Sequence, residues 1–423
     1  MLQLGLENLG LNENLFKNGK IAKKIKFAHE NLHSMDKSGG TGWVELPSLT
    51  TKSELLLIKE KAKEIQDMAN LLIVVGVGGS VNGTKSAIEI LQKHNFKVEV
   101  AFVGDSFDAS AIQRVLDNAK TKEVCVNVVS KSGNTTETLL AFHLVEEFMK
   151  KKYKKGEYKK RIFVTTDHEK GILREIANKE GYPSFVFPRT IGGRYSLFSI
   201  VGLLPMAVAG INIERVMSGA KEAEENCSLP EVIENPAYKY AVSRYLINKK
   251  KKKSVEVFAS FDSRLRVYFE WLKQLFGESE GKDKKGLYVT SLTYPSDLHS
   301  MGQFLEDGSP VVFETIFDIK KPSADLTFDK IKENSPLALF ENKSLSEISR
   351  ATLEGVKSSH AEKGIPLVSV EIEDLSEESF GYMAQFFMLS AATSAYLFGV
   401  NPFDQPAVEG YKQKTRILLE TKK

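Results

Sequence analysis

The stretch LLIVVGVGGS at residues 71–80 decides how the rest of the chain is read. Five apolar residues, Leu71 to Val75, run straight into a turn built on Gly76, Gly78 and Gly79, and a segment of helical length follows. A strand that is apolar on both faces lies inside a sheet covered by helices on each side, the habit of parallel sheets. Moving outward, KVEVAFVG (97–104), EVCVNVVS (123–130), RIFVTT (161–166) and SFVF (184–187) repeat the theme, separated by segments of helical length and period. The alternation predicts an α/β domain over residues 51–211, opened by a helix from Thr51 to Ala69. The pattern restarts with VEVFAS (255–260), LYVTSL (287–292), VVFETIF (311–317) and PLVSVEI (366–372), which predicts a second α/β domain over 237–398. Each domain is expected to be a parallel sheet flanked by helices on both faces, in the flavodoxin-like manner. Residues 1–50 read as an N-terminal arm, and the polar, proline-bearing segment 212–236 reads as a linker. Residues 399–423 read as a C-terminal segment and helix.

Length and composition agree with this plan. The 423 residues suffice for two to three domains, and 42% hydrophobic with 27% charged residues is ordinary for a globular chain. The 58 Lys and Arg against 55 Asp and Glu leave a net charge of +3, so no global field draws the chain to nucleic acid or membrane. The Lys-rich runs at 150–161 and 248–254 read as solvated helix ends. The charge-free stretches 195–213 and 381–403 carry Pro205, Gln385 and several hydroxyls, which suits buried helices better than membrane spans. Two cysteines make no disulfide framework, seven histidines show no metal-ligand spacing, and no export signal precedes Glu7 and Glu13. A cytoplasmic protein without metal or cofactor is expected.

Two turns have the character of anion loops. In IVVGVGGSVNGTKS (73–86) the glycines would let an anion approach a helix N-terminus, yet Val81 breaks the dinucleotide fingerprint and Thr84 stands where a Walker loop needs lysine. Asp105 keeps a ribose contact in view for a nucleotide reading. In VVSKSGNTTET (128–138), Ser130, Ser132, Thr135 and Thr136 gather around Gly133 before a helix, a compact hydroxyl nest suited to a phosphate monoester. The plainer reading of Thr135 and Thr138 is a capping box. Further along, Phe261 to Phe276 predicts an amphipathic helix with Asp262 as N-cap and Gly277 as its left-handed terminus. Glu278 then falls just beyond the helix end, where a carboxylate can face a cleft. In NPFDQPAVEGYKQ (401–413), Asp404 or Gln405 caps a helix from Ala407 to Thr421, with Gln405, Val408, Glu409 and Lys412 on one face.

GVGGS (76–80), SKSGNTTET (130–138) and GGRYS (192–196), in that order, resemble the phosphoglucose isomerase family with its paired sugar-isomerase (SIS) domains. Gln274, Glu278, Ser279, Gly281 and Lys282 in QLFGESEGK, His299 and Gln303 in YPSDLHSMGQFLEDG, and Gln405 and Lys412 near the C-terminus match further motifs of that family. The length is similar to its shorter bacterial-type members. The resemblance implies a metal-independent interconversion of glucose 6-phosphate and fructose 6-phosphate through an enediolate, within glycolysis and gluconeogenesis. It implies Glu278 as the base between C1 and C2, His299 and Lys412 as ring-opening groups, and Arg194 as the cation facing the enediolate. It implies Gly79, Ser80, Ser130, Lys131, Ser132, Thr135, Gln274 and Gln405 as substrate and phosphate contacts. It also implies a homodimer in which His299 reaches the site of the neighbouring subunit. Val81-Asn82-Gly83 and Gly133-Asn134 depart from the commoner family residues, which leaves open an additional mannose 6-phosphate activity. A non-catalytic sugar-phosphate-binding protein of the same fold is the remaining alternative.

Overall fold

Two sheets carry the chain, parallel but for one edge strand, and the parallel strands are the β-branched runs read above. The computed structural model describes residues 2–92, 96–154, 156–332 and 334–420. The first sheet contains β2 (Leu71–Val75), β3 (Glu99–Val103), β4 (Val124–Ser130), β5 (Ile162–Thr166) and β6 (Ser184–Val186) in the order β3-β2-β4-β5-β6. All its pairings are parallel, with Ile73 opposite both Ala101 and Val126. β2 and β4 are buried along their whole length, as a central position between two helical layers requires. The second sheet contains β7 (Val255–Ser260), β8 (Tyr288–Thr293), β9 (Val312–Ile319) and β10 (Leu367–Ile372), again parallel. It has one strand that the sequence reading did not foresee. β1 (Leu2–Gly5) from the N-terminal arm joins β10 in antiparallel register, with Leu2 opposite Ile372, and completes the order β1-β10-β9-β7-β8.

The segment read as a linker is a correction. Ile213–Asn226 is a helix with Val216, Met217, Ala220 and Ala223 buried on one face. Its charged residues are on the outer face, so their density conceals a helical period of 3.6. It packs against the Glu377–Phe398 helix, which is buried along most of its length. Gly219 and Gly381 permit that approach: a Cβ on Gly219 would meet the carbonyl of Glu378, and one on Gly381 the carbonyl of Val216. No helix among the described residues is long and apolar enough to cross a membrane.

Local signals account for several helix ends. Thr51 and Glu54 form a reciprocal capping box that starts Lys52–Met68. The two Lys-rich runs place Lys150 to Lys152 and Lys249 to Lys251 in the last turns of the Thr136–Lys152 and Pro236–Lys251 helices, where cations complement the helix dipole. At the C-terminus, a short 3-10 turn at Pro406–Val408 precedes the helix Glu409–Glu420. The expected end at Thr421 and the side chain of Glu409 lie outside the described residues.

Candidate active site

The residues singled out in three separate motifs meet at the C-terminal end of one helix. That helix runs from Leu265 to Glu280, longer than expected, so Glu278 lies in its last turn and not beyond it. Gly277 is helical, and its carbonyl accepts the N–H of Gly281, the true C-cap, at 3.0 Å. Asp262 is not the N-cap: its Oδ1 accepts the backbone N–H of Arg264 at 3.0 Å, and the helix begins one residue later.

Why the helix continues is visible in its last side chains. Glu280 is fully buried and receives Arg244 Nη1 at 2.9 Å and Nη2 at 3.0 Å, together with Ser394 Oγ at 2.6 Å and the backbone N–H of Leu287 at 3.1 Å. Arg244 also donates Nε to buried Glu256 at 2.6 Å, and Glu256 accepts Tyr240 Oη at 2.6 Å. Every charge in this cluster is both paired and hydrogen-bonded, the condition under which buried ions persist. Ser279 is buried as well, its hydroxyl within 2.7 Å of Tyr195 Oη. Trp43, from the N-terminal arm, stacks on Tyr195 with ring centroids 4.6 Å apart. The last turn is thus held by tertiary bonds that outweigh the helix-breaking tendency of Gly277.

Glu278 itself is half-buried and accepts three side-chain donors. Arg194 Nη1 and Gln405 Nε2 reach Oε2 at 3.1 and 2.6 Å, and Gln274 Nε2 reaches Oε1 at 3.1 Å. Arg194, only 3% exposed, also donates Nε to Ser279 Oγ at 2.9 Å, Nη2 to the Glu278 carbonyl at 3.3 Å, and Nη2 to the Pro402 carbonyl. Its position follows from the glycine turn before it: a Cβ on Gly79 would collide with the backbone N of Arg194, so the 78–80 and 193–195 turns lie backbone to backbone. Lys282 ties the C-terminal segment to the same helix end. Its ammonium donates to the Ser279 carbonyl at 3.0 Å and to the Asn401 carbonyl, and pairs with Asp404 at 3.2 Å. Burial pulls its pKa below the usual lysine range, and the Arg194 charge acts in the same direction, while Asp404 opposes both.

The second anion loop sits at the carboxyl end of β4, beside β2, where the strand order of the first sheet reverses. Crevices at such switch points receive ligands in open α/β sheets. Ser130 is buried, with its Oγ 3.1 Å from Thr135 Oγ1 and accepting the Gly133 N–H at 3.2 Å. Thr135 occupies the N-cap position of Thr136–Lys152 without capping it, so the capping-box reading of this segment is corrected. Gly133 has φ +68°, and its carbonyl accepts the Leu173 N–H at 3.0 Å, which fixes the loop against the next helix. Ser132 is exposed, its Oγ accepting the Asn134 N–H at 3.2 Å. Lys131 donates to the Ile191 carbonyl at 2.7 Å, and burial lowers its pKa. Asp105, the candidate ribose acceptor, instead pairs with Lys85.

A preorganised carboxylate faces a guanidinium here, and a hydroxyl loop stands at the switch point of the same half that supplies the guanidinium. The family pattern described as Phosphoglucose isomerase matches residues 59–423. The chain belongs to the phosphoglucose isomerase family. Among its relatives, the glucose-6-phosphate isomerase of Caldanaerobacter subterraneus subsp. tengcongensis is 41% identical over 392 residues, covering 90% of this chain and 87% of that one. The glucose-6-phosphate isomerase of Acetivibrio thermocellus is 41% identical over 407 residues, covering 93% and 91%. Among solved structures, a hypothetical protein of Thermus thermophilus superposes with a TM-score of 0.89 at 28% identity, covering 99% of this chain and 100% of that one. A glucose-6-phosphate isomerase of Chlamydia trachomatis has the same fold, with a TM-score of 0.82 at 18% identity, covering 100% and 89%.

Within this family member the expected residues are not all gathered in one place. Glu278, Arg194, Gln274 and Gln405 are in direct contact, and Gly79 packs on the Arg194 turn. Ser80 closes the 3-10 turn of the first loop. His299 is exposed on the first turn of Leu298–Asp307, and among the described residues its imidazole makes no hydrogen bond or ion pair. Lys412 is exposed on the Glu409–Glu420 helix. The sequence reading missed the hydroxyl of Ser279 as an Arg194 acceptor, the anchoring role of Lys282, and Asn82, whose Nδ2 donates to Gln274 Oε1 at 2.9 Å. Ser279 and Lys282 stand inside a quoted motif, but nothing in linear spacing announces their partners.

Proposed function

We propose that the chain interconverts glucose 6-phosphate and fructose 6-phosphate by moving one proton through an enediolate. The observation that carries this is the Glu278 carboxylate, held on a rigid helix end by Arg194, Gln274 and Gln405. Glu278 takes the proton from C2 of the open aldose; that C–H bond breaks and its electrons form the enediolate. The carboxyl, now neutral, releases Arg194 to face the negative charge on the enediolate oxygens. Return of the proton to C1, with transfer of the hydroxyl proton from O2 to O1, forms the ketose and regenerates the carboxylate. Ser130, Ser132 and Thr135, with Lys131, Gly79 and Ser80 alongside, hold the phosphate and the near end of the sugar. Lys412 and His299 serve ring opening, and no metal is required, so activity should persist in chelator.

For the Glu278→Gln variant, exchange of the C2 proton in deuterated water should fall about a thousandfold or more. Exchange at the wild-type rate would overturn the assignment. His299 is exposed and its imidazole makes no hydrogen bond or ion pair among the described residues, which supports a homodimer in which each His299 completes its neighbour's site. Co-refolding inactive Glu278→Gln with inactive His299→Ala should restore activity, because each mixed dimer contains one site with both native residues. A mixture as inactive as its components would refute the exchange of His299.

A further inference from the structure

We propose that Asn82 is a positioning residue for the isomerisation: it fixes the amide of Gln274 and thereby aims Oε1 of Glu278, the oxygen that carries the proton. The inference rests on the reading of Glu278 as the base. The two carboxylate oxygens are differently occupied. Oε2 accepts both Arg194 Nη1 and Gln405 Nε2, which uses its two lone-pair directions. Among the described residues Oε1 accepts Gln274 Nε2 alone, which leaves one lone pair available for a substrate proton.

The orientation of Gln274 is dictated by chemistry. An ionised carboxylate only accepts, so the amide must turn its NH2 toward Glu278 and its carbonyl oxygen away. That oxygen needs a donor, and Asn82 Nδ2 supplies it at 2.9 Å. The result is a one-way chain from Asn82 through Gln274 to Glu278, with distances of 2.9 and 3.1 Å. The glycine loop closes the cage. Gly78 has φ +58°, and a Cβ there would sit 2.9 Å from Gln274 Nε2, so loop backbone leaves the amide little room to swing. Asn82 opens the Asn82–Leu91 helix directly after this loop, so one side chain links the anion loop of the first half to the base on the second.

The test is a double-mutant cycle on the full-length protein, read by kcat, KM and C2 exchange for Asn82→Ala, Gln274→Ala and the pair. Asn82→Ala should lower kcat by roughly fivefold with KM within about twofold, and should add less than about twofold to Gln274→Ala. Losses that multiply, or a change confined to KM, would overturn the proposal. Asn82→Asp guards against misfolding, since it keeps size and places a carboxylate at a helix N-terminus, where it is tolerated. It can only accept, so it sets oxygen against oxygen along the chain. It should cut kcat more than Asn82→Ala and move the acid limb of the pH profile upward. Wild-type kcat in Asn82→Asp would equally overturn the proposal. Wild-type exchange in Glu278→Gln would defeat the parent reading instead; an inactive Glu278→Gln beside multiplying losses at 82 and 274 would defeat this inference alone.

Discussion

In both halves a helix begins beyond the carboxyl ends of the central strands, but the two N-termini are used in opposite ways. In the first half, Thr135 has its hydroxyl 3.1 Å from Ser130 Oγ and does not cap the Thr136–Lys152 helix. In the second half, Ser344 and Glu347 form a capping box on Leu345–Glu362, and the Asp325 carboxylate accepts the Ser346 N–H at 3.0 Å as well as the Ser346 hydroxyl. The hydroxyls of Ser346 and Ser344 hold the Asp325 carboxyl down at about 2. A cavity of about 370 Å³ lies beside this helix start, between the ends of β7 and β9, but Asp262, Asp318 and Asp325 line it. An internal carboxylate therefore occupies the place where a ligand anion would meet a helix dipole, and the cations nearby are already engaged: Arg350, which also lines the cavity, pairs with Asp318, and Arg264 pairs with Asp262. The same topology offers a crevice twice. Side chains decide which crevice suits an anion.

The division of labour can be broken at several points. The largest effect is expected in the second half, where Arg244→Met would leave Glu256 and Glu280 buried without their cation. Chemical denaturation should show a loss of about 3–5 kcal/mol; a loss under about 1 kcal/mol would mean that the cluster does not hold the helix end. Next comes the first-half loop. Replacing Ser130 by Ala removes a hydroxyl assigned to the charged phosphate, a bond of about 1.5–3 kcal/mol. Steady-state kinetics should show KM raised roughly ten- to a hundredfold, with kcat changed far less. The smallest effect is expected for Asp325→Ala, which should cost about 1 kcal/mol of cap energy and leave KM within about twofold. A KM shift as large as that of the first-half variant would erase the contrast between the halves.

The strands of both sheets were legible because β-branched residues apolar on both faces have few other places to go. β1 was not: four residues, Leu2 to Gly5, carry no periodic signal, and only the free edge of β10 makes them a strand. The Ile213–Asn226 helix was misread because Lys and Glu on its outer face masked the small residues that let it touch Glu377–Phe398. The end of the Glu278 helix was misplaced for a related reason. Gly277 is a sound local stop signal, overruled by Arg244 and Tyr195, which reach Glu280 and Ser279 from distant segments. At the site, motif order brought out Glu278, Arg194, Gln274 and Gln405, whereas Asn82 and Lys282 act through partners that only folding brings near.

The antiparallel pairing of Leu2–Gly5 with residues 369–372 sets a timetable for synthesis. Strands β2 to β6 lie within residues 71–186, so the first sheet can assemble while the ribosome is still at work. At about 5–20 residues per second, the earliest strand waits roughly 20–70 s for its partner to be made. Until then the Leu2–Gly5 segment lacks its β10 partner, and the second sheet closes only after residue 372 has been made.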